Sequence, residues 1–383
     1  MKIAVIGAGR MGRAVAYSLL AKDPVDELIL VDRSAEALRA AENELPSRRL
    51  TLARVPVDDI DQLRPIFAAA DAVVGAAHYG VNLALTQLAI DTATHFCDLG
   101  GNNNVVAQQV ELNDEAEQAE VSILPDCGLA PGLVSILTAA GVDRFDRVDS
   151  VQLRVGGVPS RPRPPLNYFV VFSPSGLLNE YIEPCMVIRN GEVVQVPSIS
   201  ELERIVFPEP FGEMEAFTTS GGASTLPLSY AARIQSLEYK TIRYPGHAAI
   251  VRSWIELGLT SEQPVVVGDR DIQPRALLEQ LISDRLVKDG PDCVLLRATL
   301  SGTRDGRPFI LEFEMIDEED PATGLTAMAR CTAFPAAVAA RMLVAGEALR
   351  YGVLRQEEAF HPRPFIDALR RLGLEIRETW RVL

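Results

Sequence analysis

The stretch "KIAVIGAGRMGRAVAYSLL" constrains the fold more than any other part of the chain. It sets Gly7, Gly9 and Gly12 as G-x-G-x-x-G between an apolar run suited to a strand and a run of helical period. The first glycine allows a tight turn, the second lets backbone approach a pyrophosphate, and the third lets helix and strand pack closely. Ala8, Arg10 and Met11 complete a loop whose free N–H groups, at a helix N-terminus, would hold the phosphates. The next apolar run ends in "LILVDRS", placing Asp32 twenty residues after Gly12, where an acid can accept both ribose hydroxyls of a dinucleotide. Asp32 disfavours a 2′-phosphate and so points to NAD. Arg33 beside it could turn towards such a phosphate, which leaves NADP open.

The first third of the chain repeats this texture. Apolar runs at 2–6, 28–31, 50–55, 72–76, 94–97 and 121–124 alternate with helix-period segments at 11–22, 35–43, 60–69, 81–92 and 106–119. Such alternation predicts an α/β fold, a doubly wound parallel Rossmann sheet. Ligands bind at the carboxyl ends of such strands. Asp58 is therefore a candidate for the adenine end, and Ala76, Ala77, Leu99 and Gly100 for the nicotinamide half. His78, in the same row of loops, reads equally well as an exposed loop histidine.

From about Val148 the strands lengthen and mix polar with apolar residues: "SVQLRVGG", "YFVVFS", "CMVIRNGEVVQV", "EYKTIRY", "CVLLRATLSG" and "PFILEFEMI". Asn-Gly in "RNGE" and Asp-Gly in "TRDGRP" predict hairpins. With helices expected at "AAIVRSWIELG" and "PRALLEQLISDRL", this reads as an α+β substrate domain with a mixed or antiparallel sheet. "FPAAVAARMLVAGEAL" predicts a helix with Pro335 in its first turn, followed by a helix at "RPFIDALRRLG" and a strand at "LEIRETW".

Charge narrows the partners. A formal charge of −15 repels phosphate backbones and anionic bilayers, so neither nucleic acid nor membrane is expected. Five cysteines without a C-x-x-C pair read as reduced thiols, with no disulfide framework and no metal site. The sequence opens on a strand-like run without a leader, which predicts a cytoplasmic protein.

Together, "DCGLAPG", "VGGVPSRPRPPLNYFVVFSPSGLLNEY", "VIRNGE" and "TIRYPGH" resemble the saccharopine dehydrogenase superfamily, its lysine 6-dehydrogenase branch in particular. The resemblance runs from the glycine fingerprint through "TAFPAAVAARML". It implies NAD-dependent oxidation of the ε-amino carbon of L-lysine to the 6-semialdehyde, which cyclises, with release of ammonia. It also implies a homodimer and a C-terminal segment that returns to the nucleotide-binding domain. The expected division is then a dinucleotide-binding domain over 1–126, a substrate and dimerisation domain over 127–330, and the returning segment over 331–383. Saccharopine reductases usually carry G-L-D-P-G where this chain has "GLAPG". Ala130 in place of the acid weakens a saccharopine dehydrogenase reading, which stays as an alternative beside a non-catalytic NAD-binding sensor.

Amine oxidation needs a carboxylate clamp and a base, and "EYKTIRYPGH" (238–247) concentrates the candidates. As a strand it puts Glu238, Lys240 and Ile242 on one face and Tyr239, Thr241 and Arg243 on the other. His247, just past Pro-Gly, is a candidate base because histidine needs the smallest pKa adjustment; a turn-capping role is its alternative. Lys240 could serve as base only with its pKa depressed. Arg243 could clamp a substrate carboxylate with two parallel hydrogen bonds. Asp126, at a strand tip, could pair with an ammonium, orient the base or cap the following helix. "FTTSGGASTL" offers Ser220 and a Gly-Gly turn that could bind a carboxylate. The prolines of 153–176 lower the entropy lost on ordering. That block therefore reads as a stiff site rim, with Tyr168 as a substrate contact and Gly156 and Gly157 admitting a ligand.

Overall fold

A computed structural model of the protein describes residues 1–21, 25–170, 173–286 and 290–383. The chain forms two compact units, 1–144 with 329–376, and 145–328 with 377–383.

The first unit is built on short strands β1 (Lys2–Ile6), β2 (Glu27–Val31), β3 (Leu50–Ala53), β4 (Ala72–Gly75), β5 (His95–Asp98) and β6 (Ser122–Leu124). All pair in parallel in the order β6-β5-β4-β1-β2-β3. Runs such as Ile3–Ile6 and Ala72–Gly75 are buried throughout, as strands covered by helices on both faces require. The order reverses direction between β1 and β4, the place where a doubly wound sheet opens a crevice at its strand tips. A further strand, Gly352–Val353 (numbered β17 in chain order), extends the sheet beyond β6 in parallel.

The first compact unit runs on past 126 to Arg144. The reason is the helix Leu133–Val142, "LVSILTAAGV", which is largely apolar and buried along its whole length. It packs against the helices Gln356–Ala359 and Pro362–Arg371, so the returning segment encloses it within the first unit. Gln356 donates to the Pro125 carbonyl (2.9 Å) and to the Cys127 sulfur (2.8 Å), and Arg341 donates to the carbonyls of Ser18 and Leu19 (3.1 Å each).

The second unit carries β7 (Arg147–Pro159), β8 (Cys185–Arg189), β9 (Glu192–Val196), β10 (Glu203–Phe207), β11 (Gly212–Thr218), β12 (Ile234–Arg243), β15 (Asp292–Arg304) and β16 (Arg307–Glu318). Between β12 and β15 lies a separate hairpin, β13 (Val265–Val267) with β14 (Arg270–Ile272). The main sheet runs β10-β11-β12-β7-β15-β16-β18, where β18 is Arg377–Val382. Along that path β12 and β7 pair in parallel, and the other pairs are antiparallel. Both predicted hairpin turns are present, with Asn190, Gly191, Asp305 and Gly306 at positive φ. The last strand, 377–382, thus joins the second unit and not the first, because it continues the antiparallel ladder of β16.

Three local expectations are corrected. The described part of "YFVVFS" is not a strand: Tyr168 and Phe169 turn into an apolar core with Leu166, Leu177 and Tyr181, and Pro174 opens a helix, Pro174–Ile182; Val171 and Phe172 lie outside the described residues. The long late helix begins at Ala327, so Pro335 sits inside it. The Asp292 carboxylate accepts the N–H groups of Ala327 (2.8 Å) and Met328 (3.0 Å), which moves the start upstream. Finally, Gly156 makes room for a neighbouring strand and not for a ligand, since a Cβ there would lie 2.3 Å from the Ile242 carbonyl oxygen.

Candidate active site

In the first unit, the glycines separate into two kinds. A Cβ on Gly12 would lie 1.7 Å from the Gly7 carbonyl oxygen, and one on Gly7 would lie 2.7 Å from the Ala76 oxygen. Those two serve packing between turn, helix and the tip of β4. A Cβ on Gly9 would meet nothing within 4 Å. The fold itself does not demand glycine there, but close approach of a ligand does. Asp32 accepts the Ala8 N–H (2.8 Å) on one carboxylate oxygen and the Ser34 N–H (2.8 Å) on the other, which fixes the acid against the loop. Arg10, Arg33 and Asp58 are exposed; Met11, Ala76, Ala77, Leu99 and Gly100 are half-buried at the tips of β1, β4 and β5. The residues present fit a dinucleotide: an open glycine turn at a helix N-terminus and an acid after β2. His78 is exposed and spends Nδ1 on the Gly80 N–H.

Asp126 is held in the left-handed region (φ +63°) and buried at the tip of β6. It belongs to the first unit, whereas the other predicted catalytic and substrate residues belong to the second.

There, strand alternation splits the candidates of β12. Lys240 shares its face with Glu238 and ion-pairs with Glu203 (2.8 Å) and Glu238 (3.7 Å). Arg154 bonds both of those acids, and Arg189 joins Glu238 to Glu201. Lys240 is therefore a member of a closed ionic network, not a free amine seeking a proton, and its assignment as base is withdrawn on that geometry.

The opposite face assembles the remaining groups. Arg243 is 3% exposed. Its Nε donates to the Tyr181 hydroxyl (3.2 Å), Nη1 donates to the Ile242 carbonyl (2.9 Å), and the guanidinium lies 4.6 Å over the Tyr168 ring. Among the described residues no carboxylate comes within ion-pair distance of it. Burial works against its charge, but Tyr181, Tyr168 and Glu180 outweigh that and keep it protonated. Tyr168 also meets His247 edge-on (centroids 5.5 Å). His247 opens the helix His247–Glu256 and is 1% exposed. Its Nδ1 lies 3.2 Å from the Leu166 carbonyl, so a proton there leaves Nε2 to accept from the Tyr181 hydroxyl at 2.9 Å. Burial, with Arg243 adding to it, pushes its pKa down to about 3. A histidine so tuned stays neutral and orients Tyr181; it does not collect protons near neutral pH.

The group that does was not among the candidates named from sequence. Glu180 and Tyr181 sit on the helix Pro174–Ile182, and Glu180 is pushed up to about 7, chiefly by burial and against the pull of Arg243. Burial holds the Tyr181 phenol up at about 12. Glu183 accepts a long bond from the Ser220 hydroxyl (3.4 Å), and the Ser220 N–H donates to the Glu180 carbonyl (2.9 Å). Ser220 therefore ties the "TTSGGA" turn to the acidic helix. The N–H groups of Ser220 and Gly222 are already used, and a Gly222 Cβ would lie only 2.3 Å from the Tyr239 ring, so Gly222 serves packing; Gly221, at φ +85° with nothing within 4 Å of a Cβ, serves the turn itself. The period-3.6 apolar face Leu177, Leu178, Tyr181 was visible in the sequence and would have turned Tyr181 inward; Glu180 beside it carried no such mark.

Comparison with known proteins adds the lineage. The family model described as "Saccharopine dehydrogenase NADP binding domain" matches residues 3–124, and "Saccharopine dehydrogenase C-terminal domain" matches 128–374. The bovine mitochondrial alpha-aminoadipic semialdehyde synthase is 21% identical over 308 residues, 77% of this chain and 32% of that protein. This chain thus spans about a third of that relative's length. The carboxyaminopropylagmatine dehydrogenase of Synechocystis is 20% identical across 99% of this chain and 97% of its own. Among solved structures, apo saccharopine dehydrogenase (L-Glu forming) from Saccharomyces cerevisiae superposes with a TM-score of 0.81 at 17% identity, covering all of both chains.

Proposed function

Because the chain belongs to the saccharopine dehydrogenase family, we propose that it is an NAD(P)-dependent dehydrogenase acting on the carbon–nitrogen bond of a small amino acid, and that its substrate is the ε-amine of L-lysine. One observation carries the substrate end: Arg243, buried without a carboxylate partner among the described residues, is a cation that calls for an anion. A buried charge without an anion in contact is costly, and a substrate α-carboxylate would add that contact to the more distant support of Glu180. Tyr181 and Tyr168 hold the guanidinium in place for that contact.

Glu180 and Glu183 give the same neighbourhood an acidic side suited to an ammonium. The Glu180 carboxylate takes a proton from the ε-ammonium, leaving the free amine from which oxidation proceeds. A nicotinamide held by the first unit would supply the hydride acceptor. The substrate becomes an iminium, water adds to its carbon, and ammonia leaves to give the 6-semialdehyde, which cyclises. His247 has no part in the proton transfer; its Nε2 fixes the Tyr181 hydroxyl, and through it Arg243. Asp32 supports NAD over NADP, since an acid held after β2 by the Ala8 and Ser34 N–H groups would repel a 2′-phosphate.

A second reading is supported by the end-to-end similarity to a carboxyaminopropylagmatine dehydrogenase: oxidation of a secondary amine that joins a carboxylate-bearing arm to a larger amine. The purified protein with NAD and L-lysine should produce NADH and ammonia in equal amounts without any 2-oxo acid. No NADH with lysine, but turnover of saccharopine or of a carboxyalkyl amine, would reject the lysine reading in favour of the second.

A further inference from the structure

Asp98 ends β5, is fully buried, and stands outside the chemistry described so far. Its Oδ1 accepts the Gly100 N–H at 2.7 Å and, more weakly, the Asp126 N–H at 3.4 Å. Its Oδ2 accepts from Nε2 of Gln109 at 2.7 Å, and that amide also donates to the Thr86 hydroxyl at 2.9 Å. The Asp98 backbone carbonyl accepts the Cys127 N–H at 2.7 Å. One residue therefore fastens the turn after β5, the turn after β6, and, through Gln109 and Thr86, the two helices Asn103–Glu111 and Asn82–Asp91. The turns themselves are tightly fitted, because a Cβ on Gly100 would lie 1.9 Å from a carboxylate oxygen of Asp126.

Every partner of this carboxylate is a donor, so the arrangement requires an acceptor-only group. Yet among the described residues no cation pairs with it. Burying an acid without a cation is costly, but only the ionised form lets both oxygens accept from these donors, which an asparagine NH2 could not do. The turns it fastens form the nicotinamide side of the strand tips, with Leu99 and Gly100 half-buried there and Asp126 buried behind them.

We propose that Asp98 is a positioning residue for the nicotinamide half of the cofactor, holding the β5 and β6 turns in register through its ionised carboxylate. This rests on the reading of the first unit as the cofactor domain. Burial raises the Asp98 pKa to about 6, with the hydrogen bonds of Gln109, Gly100 and Asp126 holding it down. Below that pH one oxygen carries a proton, the protonated oxygen becomes a donor facing a donor, and a turn is released. The titratable groups facing it are the Asp126 carboxylate and the Cys127 thiol, both from the β6 turn; β4 presents Gly75, and the helices present the neutral Thr86 and Gln109.

The test compares NADH with ADP-ribose, which lacks the nicotinamide, by titration of the full-length protein from pH 5 to 8; NADPH and its 2′-phospho-ADP-ribose counterpart run in parallel. NADH affinity should fall about tenfold as pH drops through about 6, while ADP-ribose affinity stays within about twofold. Asp98→Asn should weaken NADH about tenfold at pH 7.5, spare ADP-ribose, and abolish the pH dependence. Equal losses for both ligands, or an unchanged NADH profile, would overturn the proposal. Should Asp98→Asn fail to fold, Gln109→Met removes one stabilising donor and should move the acid limb upward by several tenths of a pH; a limb that stays put refutes the role. If the unaltered protein binds neither dinucleotide nor ADP-ribose, the cofactor-domain reading falls first and takes this one with it.

Discussion

Two neighbours on one strand, Lys240 and Arg243, show how residue-scale chemistry depends on which face a side chain takes. Lys240 is enclosed by Glu203 and Glu238, and Arg243 by tyrosines. Removing the lysine should therefore touch stability and not chemistry. Lys240→Met should lower the unfolding free energy by about 1–3 kcal/mol, as for a broken buried ion pair with partial compensation from Arg154, and leave kcat within about twofold. Glu180 should behave in the opposite way. With its carboxyl at about 7, the ionised base is lost as pH falls, so kcat/KM should decline below about pH 7. Glu180→Gln should cost about 10²–10⁴ in rate while substrate binding persists; a variant that keeps the wild-type pH–rate profile would remove Glu180 from the mechanism. The alternation of "EYKTIRY" was legible in the sequence because period 2 is a local property. Which face held the site was not, because that depends on the helix Pro174–Ile182, more than fifty residues upstream, folding over the sheet.

The elements that were easiest to read are those whose cause is local. The β1 turn declares itself through three glycines, and structure assigns them separate duties: Gly7 and Gly12 to packing, Gly9 to an approaching ligand. Gly12→Ala should destabilise the first unit strongly, since its Cβ would collide with backbone that cannot yield. Gly9→Ala should leave the melting temperature within about 2 °C and yet weaken NADH binding at least tenfold. Comparable melting losses in both variants would show that the open space beside Gly9 is not where the cofactor comes. The harder elements were those fixed at long range. Near residue 327 the only local start signal is Thr326, an N-cap type; the Asp292 carboxylate binds the first N–H groups from a strand thirty-five residues away. Likewise "YFVVFS" has the composition of a strand, but Tyr168 and Phe169 gain more by entering the helix-covered core.

At the scale of the whole molecule, buried titratable groups set how stability responds to pH. His247 has its pKa depressed to about 3 from an ordinary 6.5. Between those values the unfolded chain binds the proton and the folded one does not, so stability is fully present above about pH 6.5 and is lost as pH falls towards 3. Glu180 and Asp98, with raised pKa values, act in the opposite sense, favouring the folded state as pH drops from about 7 towards 4. The net slope mixes these, but a difference isolates one. Urea unfolding of His247→Gln against the parent should show a gap that shrinks by roughly 2–4 kcal/mol between pH 6.5 and 3.5; a constant gap would mean that the histidine is not buried neutral.

The chain's path through its two units has a consequence for synthesis. The first unit takes residues 1–144 and then 329–376, and the second closes only with the strand at 377–382. Strand β17 and the helices that enclose Leu133–Val142 leave the ribosome after the whole second sheet apart from β18. Until then the nascent chain carries a largely apolar helix with part of its shelter unmade. Neither unit can finish before the other has nearly done so, and neither can be cut out as one continuous segment for separate expression. Two fragments divided at 144/145 would have to borrow across the cut, and only a fusion linking 144 directly to 329 would give the dinucleotide-binding half a chance to stand alone.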